Sequence, residues 1–156
     1  ASVVVRVEKE QEYTEISLLE GCHFSVLHSK AWHAKVGSAG AYWVKPDQVS
    51  RTAQSGEFAS THSIIIRGKK NLVDKLPLIG AAGLIYVEGV PKVMFGPEKA
   101  VLENTNGTYF RIRPGKLKKS DVVKVISSEL GGESEQVMSV LPGENMEYEK
   151  VNRADN

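Results

Sequence analysis

Apolar and polar positions along this chain recur with two different periods, and the period changes several times. The valine-rich residues 1–7 predict a strand buried on both faces, whereas apolar positions at helical spacing between Glu15 and Ala34 predict one long helix. Segments bounded by glycine, proline and asparagine predict further strands at 41–45, 63–67, 78–88, 92–95 and 108–113. Cap and breaker residues predict short helices at 98–103, at 120–130 and from Ser134 to Pro142-Gly143.

The order of these elements indicates the fold class. Strands and helices are interspersed, and several strands are joined by tight turns. We therefore predict an α+β fold, in which a mixed β-sheet carries the long N-terminal helix and the short C-terminal helices.

The composition is that of an ordinary globular domain. The chain has 156 residues, of which 41% are hydrophobic and 25% charged. No apolar run approaches the roughly 18 residues that a membrane-spanning helix needs, so no membrane partner is expected. The single cysteine, Cys22, excludes an intrachain disulfide and fits a reducing compartment. We therefore expect a cytoplasmic protein.

The net charge of +1 conceals an uneven distribution along the chain. Residues 45–75 contain six Lys or Arg against three Asp or Glu, and residues 110–124 contain six against one. Residues 125–156 reverse the balance, with two cations and seven acids. Two basic segments predict a cationic face suited to a polyanion, although solvated faces and a disordered tail would give the same pattern.

The first basic segment combines aromatic and cationic side chains around a turn. A strand containing Tyr42-Trp43-Val44 precedes a long polar loop, and a second strand runs into the turn Arg67-Gly68-Lys69-Lys70-Asn71. Polyanion binding needs cations for phosphates and flat side chains for bases, and this segment has both. The turn lacks the upstream glycine and the Ser or Thr of a Walker-type loop, so a nucleotide site is not expected.

The same residues resemble the central block of NFACT-R, the RNA-binding-type domain of the NFACT family, which includes the RqcH and NEMF proteins. The motifs that carry the resemblance follow one another without a gap and are Trp43-Val44, Gln48-Val49-Ser50, Ser55-Gly56-Glu57-Phe58 and Arg67-Gly68-Lys69-Lys70-Asn71. His28-Ser29-Lys30-Ala31-Trp32 is similar to a helix of that domain. Gln54 and His62 depart from the proline and glycine that the family usually has there.

The resemblance implies a domain organisation and a function. Residues 1–100 resemble the NFACT-R core without the part that normally precedes it, so we expect a piece of a longer protein. Residues 101–145 resemble a basic strand–helix extension of archaeal type, and 146–156 are expected to form a flexible acidic tail. The resemblance implies an RNA-contacting module of a ribosome-associated quality-control factor. Its partners would be tRNA or large-subunit rRNA, on large ribosomal subunits that carry stalled peptidyl-tRNA.

The predicted nucleic-acid-binding residues are cationic, amide and aromatic side chains of the two basic segments. They are Lys45, Arg51, Arg67, Lys69, Lys70, Asn71, Arg111, Arg113 and Trp43. Strand alternation predicts that Arg111 and Arg113 point to one side and extend the same cationic face. For each cation the alternative is a solvated surface charge, and for Trp43 it is a half-buried packing position.

No pattern in the chain predicts catalysis, a metal site or a cofactor. His23, His28 and His33 are spaced by five residues, which turns successive side chains about 140° apart on a helix and prevents a shared metal ion. His62 lacks a partner acid and an oxyanion site in the sequence. We therefore expect a binding module that is not an enzyme and has no small-molecule substrate. The alternative function is a structural protein–protein interaction domain that docks a ribosomal or degradation partner.

Overall fold

The computed structural model describes residues 3–5, 15–34, 37–50, 65–105 and 107–152. The helices are α1 (Glu15–Leu27), α2 (Glu98–Asn104), α3 (Lys119–Leu130) and α4 (Ser134–Val140). The strands are β1 (Ser38–Trp43), β2 (Val49–Ser50), β3 (Ile65–Ile66), β4 (Asn71–Pro77), β5 (Gly80–Val87), β6 (Val90–Gly96), β7 (Tyr109–Lys118) and β8 (Asn145–Val151). The predicted α+β class is confirmed, and the pairings between described strands are all antiparallel.

A four-stranded sheet with the order β6-β5-β7-β8 forms the centre of the described structure. Because side chains alternate along a strand, Phe110 of β7 is fully buried while its neighbour Arg111 points to the other face. Ala82 of β5 lies opposite both Phe95 of β6 and Phe110. One face of the sheet is therefore continuously apolar across three strands.

Helices cover both faces of this sheet. The main core combines strand side chains with residues of α1, α3 and α4, and its buried members are Val26, Leu27, Trp32, Leu78, Ala82, Val93, Phe95, Phe110, Ile112, Val122, Val123, Ile126, Val137, Leu141 and Met146. The other face carries a smaller cluster of Ala81, Val101 and Tyr109, to which α2 contributes Val101. Removal of apolar surface from water, at about 25 cal/mol per Å², is the main stabilising term on both faces.

Gly83 lets α2 approach the sheet closely. A Cβ atom at this position would lie 2.7 Å from Cγ1 of Val101 and 2.8 Å from Cγ2 of Thr105. Gly83 is paired on both sides, with Met94 and Tyr109, in an unbroken register. The glycine in the middle of the strand therefore provides space for a helix.

A second antiparallel pair, β1 with β4, carries most of the predicted binding segment. Tyr42 lies opposite Leu72 in its register, and Trp43 lies opposite Asn71. Helix α1 contacts both strands, and Ala39 and Ala41 of β1 pack against the main core. This packing fixes which side of the pair faces inward and which faces the solvent.

Helix α1 ends earlier than the apolar pattern predicts, at Leu27 rather than near Ala34. Ser29 is the cause, since its Oγ donates a hydrogen bond to the carbonyl of Val26 at 2.7 Å and accepts one from the Ala31 amide at 3.2 Å. A hydroxyl that satisfies backbone groups in this way competes with the helical hydrogen bonds. The chain continues as a 3-10 turn over Lys30–Trp32, which buries Trp32 in the core.

Two predictions for the ends of the chain need correction. Residues 3–5 of the predicted N-terminal strand form no described strand, and Val4 is 78% exposed. The flexible acidic tail predicted for 146–156 is wrong for residues 146–151, which belong to β8 and pair with β7. The buried side chain of Met146 and the hydrogen-bonded register hold this segment on the sheet. Residues 153–156 lie outside the described residues.

Among the described residues, no helix combines the length and the apolar character needed to cross a membrane.

Candidate nucleic-acid interface

The basic turn between β3 and β4 is held by the side-chain amide of Gln48. Its Nε2 donates hydrogen bonds to the carbonyls of Arg67 at 2.9 Å and Lys69 at 2.8 Å. Gly68, between those two carbonyls, has a φ of 78°, a left-handed conformation that favours glycine. The turn therefore has one defined shape, although the residues that surround it are mostly exposed.

The same amide joins a second loop to the turn. Oε1 of Gln48 accepts a hydrogen bond from the backbone amide of Lys45 at 2.9 Å. The backbone carbonyl of Gln48 accepts another from the amide of Arg67, also at 2.9 Å. Gln48 thus brings the backbone of Lys45 close to the turn that carries Lys69.

Three lysines of this region are exposed, namely Lys45, Lys69 and Lys70. None of them forms a salt bridge with any residue that the structure describes. Nζ of Lys70 lies 5.0 Å from the centre of the Tyr42 ring. Arg67 is half-buried. The predicted residues Lys45, Arg67, Lys69 and Lys70 are therefore brought together, whereas Arg51 lies outside the described residues.

Asn71 has a structural role in this arrangement. Its Nδ2 donates a hydrogen bond to the backbone carbonyl of Trp43 at 3.2 Å, across the β1–β4 pair. The amide group that could have contacted a base or phosphate thus fastens the end of the turn to β1. This bond gives Asn71 a structural role in positioning the neighbouring Lys70.

The aromatic residue on the outer face of β1 is Tyr42 and not the predicted Trp43. Trp43 is half-buried and shares its side of the strand with Ala41, which packs against the core. Tyr42 points the other way and is 42% exposed. Alternation along the strand, once the inward side is known, identifies Tyr42 as the available flat surface.

Arg111 does point away from the core, as predicted, but carboxylates surround it. Its Nε donates to Oε2 of Glu98 at 2.9 Å and its Nη2 donates to Oε1 of Glu98 at 3.0 Å. Nη1 lies 3.6 Å from Oε1 of Glu149 on β8. The hydroxyl of Tyr109 donates to Oε1 of Glu98 at 2.8 Å. This network fastens the first residue of α2 to β7.

The electrostatics of this network follow from its geometry. The hydrogen bonds from the Arg111 guanidinium hold the pKa of Glu98 below its usual range, against the opposing effect of burial. The same contact raises the pKa of Arg111. Burial, followed by the hydrogen bond to Glu98, raises the pKa of the Tyr109 hydroxyl. Glu98 is therefore charged at neutral pH, and it neutralises the arginine beside it.

Arg113 lies on the same side of β7 as Arg111 and is neutralised in the same way. Its Nε is 3.1 Å from Oε2 of Glu147, the residue directly opposite on β8. Within the described part of the chain, the ion pairs of this face join three glutamates to two arginines. A phosphate would have to displace these carboxylates. The structure does not support the prediction that Arg111 and Arg113 extend the cationic face.

Gln48, which holds the basic turn, is not among the site residues predicted from the sequence. Its importance depends on hydrogen bonds to residues 19 and 21 positions away in the chain. The sequence signal for it was its place in the motif Gln48-Val49-Ser50, between an aromatic strand and the polar loop.

Comparisons with known proteins bear on the same region. The family model described as the NFACT protein RNA binding domain matches residues 1–68. The chain is 34% identical over 135 residues to the archaeal Rqc2 homologue aRqcH of Methanocaldococcus jannaschii, a match that covers 85% of this chain and 20% of that protein.

Animal proteins match over shorter segments. The chain is 38% identical over 86 residues to the ribosome quality control complex subunit NEMF homologue of Drosophila melanogaster, covering 55% of this chain and 9% of the fly protein. It is 44% identical over 57 residues to the ribosome quality control complex subunit NEMF of Homo sapiens, covering 36% of this chain and 5% of the human protein. The chain thus spans a fifth or less of each of these relatives. No solved structure matches it.

Proposed function

Because the chain belongs to the NFACT family, we propose that it is the RNA-contacting module of a ribosome-associated quality-control factor. It would bind the phosphate backbone of tRNA or large-subunit rRNA on large ribosomal subunits that carry stalled peptidyl-tRNA. The relatives are named for ribosome quality control, and the matching family model is named for RNA binding.

The observation that carries this proposal is the group of three lysines around the basic turn that Gln48 holds. Lys45, Lys69 and Lys70 are exposed and form no salt bridge within the described part of the chain. Cations held on a fixed backbone neutralise phosphates and release counterions, which is the main source of affinity in sequence-independent RNA binding. Gln48 would reduce the ordering cost of such binding, since its hydrogen bonds hold the backbone of the turn before RNA binds.

We propose further that the module acts in the cytoplasm and by binding alone. The amides of Gln48 and Asn71 hold backbone groups, and the lysines are suited to charge neutralisation. Neither role requires a chemical step at this site.

A protein–protein interaction domain is the second candidate. An acidic C-terminal tail would favour this function, but Glu147 and Glu149 belong to β8 and face arginines of β7. The observation in its favour is the exposed hairpin of β5 and β6, where Tyr86 is 69% and Val90 52% exposed. Salt separates the two functions, since phosphate binding falls steeply with salt and apolar docking does not.

The test is the double variant Lys69→Glu with Lys70→Glu, measured by gel shift or fluorescence anisotropy with tRNA and rRNA fragments. We expect the affinity to fall by about ten-fold or more, and the slope of affinity against salt to decrease, because phosphate contacts are lost. The matched control is Lys92→Glu with Lys99→Glu, which changes the net charge equally at two exposed lysines of β6 and α2.

Equal losses in both double variants would mean that only net charge matters, and they would contradict a site at the turn. Unchanged affinity in the Lys69 and Lys70 variant, with circular dichroism showing an intact fold, would reject the proposed RNA contact.

A further inference from the structure

The outer face of the β1–β4 pair exposes an aromatic ring beside the lysine turn. Tyr42 lies directly opposite Leu72, and these side chains are 42% and 73% exposed. Their inward-facing neighbours Ala41 and Val73 are half-buried. The two side chains thus form a small exposed apolar surface next to the lysine turn.

Lys70 connects this apolar pair to the cationic site. Its Nζ lies 5.0 Å from the centre of the Tyr42 ring, over the ring face. Lys70 is also the residue before Asn71, whose side chain is fastened to β1 by its bond to Trp43. The β1–β4 register thus places the backbone of Lys70 beside β1, within reach of the Tyr42 ring for its long side chain.

This inference rests on the proposed function and makes it more specific. We propose that Tyr42 is a stacking platform for an unpaired base, so that the module prefers RNA with unpaired nucleotides to fully paired RNA. A paired base inside a duplex has no free face, whereas an unpaired base can lie flat on an exposed aromatic ring. Lysines alone would bind either form of RNA, because both present phosphates.

Binding would exchange one contact of Lys70 for another. In the structure its ammonium covers the ring of Tyr42. A base that stacks on that ring displaces the ammonium, which then reaches the adjoining phosphate. Stacking of a base on an aromatic ring is stronger than a cation–π contact at an exposed site, so the exchange favours the complex.

The charges at the two ends of the β1–β4 pair favour one direction for the bound strand. Asp74 and Lys75, two and three residues beyond Leu72, are both exposed and their charges offset each other, so this end of β4 has no net attraction for a phosphate. Towards the other end of the pair lie Lys70, Lys69 and Lys45, with Asp47 as the one acid in the stretch 45–48. The strand would therefore run from Tyr42 towards the turn and not along β4.

The test compares a single-stranded uridine oligonucleotide with a blunt-ended RNA duplex of the same length, both measured by fluorescence anisotropy. We expect the chain to bind the single strand more tightly. Tyr42→Ala should weaken single-strand binding by about ten-fold and change duplex binding by less than about two-fold. Tyr42→Phe keeps the ring and should retain the preference.

The matched control is Tyr86→Ala, which removes another highly exposed tyrosine, at 69% exposure, from the β5–β6 hairpin. This variant should behave as the unchanged chain does. A 2-aminopurine base in the oligonucleotide gives a second signal, because stacking quenches its fluorescence. We expect quenching with the unchanged chain and much less with Tyr42→Ala.

The outcomes separate this inference from the proposed function. If the duplex binds as tightly as the single strand, or if Tyr42→Ala weakens both equally, the stacking platform is wrong while RNA binding by the lysines stands. If neither RNA binds, the proposed function itself fails.

Discussion

Gln48 and Lys69 are 21 residues apart in the chain, and a hydrogen bond of 2.8 Å joins the Nε2 of one to the carbonyl of the other. Together with the bond to the Arg67 carbonyl, it uses both hydrogens of the Gln48 amide on the basic turn. The lysine site therefore depends on a neutral residue that carries no charge to the ligand.

We expect Gln48→Ala to weaken RNA binding by about three- to ten-fold, since the turn loses its fixed shape and the lost order must be restored on binding. All the lysines remain in this variant, so the slope of affinity against salt should stay unchanged. Salt titrations of Gln48→Ala and of the Lys69 and Lys70 double variant are monitored by anisotropy. They distinguish affinity lost because the turn is less ordered from affinity lost because phosphate contacts are removed.

Gln136→Ala is the control for a lost amide clamp elsewhere. Its Oε1 accepts from the amide of Val93 and its Nε2 donates to the carbonyl of Val93, both at 2.8 Å. We expect this variant to lose stability and keep its affinity for RNA. Full affinity in Gln48→Ala as well would show that the clamp has no part in binding.

A variant of Arg111 tests whether the second basic segment, on β7, contributes to RNA binding as the lysine turn of the first segment does. Its guanidinium makes two hydrogen bonds to Glu98 and lies near Glu149, and its side chain is 40% exposed. Because the partly exposed pair is screened by water, we expect Arg111→Met to cost about 1 kcal/mol of unfolding free energy. RNA affinity should change by less than about two-fold, since no phosphate contact is lost at this position.

Urea unfolding and RNA anisotropy on the same Arg111→Met preparation measure the two effects. A loss of RNA affinity comparable to that of the Lys69 and Lys70 double variant would show that this face binds RNA in spite of its glutamates.

Glu98 makes the stability of the fold depend on acid pH. Arg111 lowers the pKa of Glu98 in the folded chain, so the folded state binds this proton less readily than the unfolded state does. The stabilisation is fully present above the unfolded pKa of about 4.3 and is lost as the pH falls through the lower folded value. We expect the urea midpoint of the unchanged chain to fall more steeply below about pH 5 than that of Glu98→Gln.

Glu98→Gln keeps the shape of the side chain and a carbonyl acceptor for the Tyr109 hydroxyl, but it does not titrate. It should therefore start from a lower stability at neutral pH and approach the unchanged chain in acid. Parallel curves for the two proteins across this range would mean that Glu98 is not linked to folding.

The sequence was sufficient where the relevant pattern is local. Phe110 and Arg111 alternate between the two faces of β7 as predicted, and the turn at Gly68 lies where the sequence indicates one. The sequence was insufficient where a residue's role depends on a distant partner. The sequence predicts an RNA contact for Arg111, because Glu98 and Glu149, which neutralise it, become its neighbours only through the packing of α2 and the β7–β8 register.

The missed strands have a related explanation. In β8, acidic side chains occupy the positions opposite arginines of β7, so the segment has the composition of a solvated tail when it is considered alone. In β4, the pair Asp74-Lys75 interrupts the apolar alternation, and Lys75 has a φ of 58°, which is unusual for a strand residue. The sequence does not distinguish Trp43 from Tyr42 as the exposed aromatic residue, because only the packing of Ala41 shows which side of β1 is inward.

The close approach of α2 to the sheet predicts the effect of a methyl group at Gly83. A Cβ atom there would lie 2.7 Å from Val101 and 2.8 Å from Thr105, so α2 must shift outward or the strand must distort. We expect Gly83→Ala to reduce the unfolding free energy by about 1–3 kcal/mol, the usual cost of overpacking a core. Urea or thermal unfolding monitored by circular dichroism measures the change.

Gly107→Ala is the matched control, because a Cβ atom at Gly107 meets nothing within 4 Å. It should leave the unfolding midpoint close to that of the unchanged chain. The lysine turn lies on the β3–β4 connection and α2 lies on the central sheet, so Gly83→Ala should retain its RNA affinity under conditions where it is folded. A Gly83→Ala variant as stable as the Gly107→Ala variant would contradict the tight contact between α2 and β5.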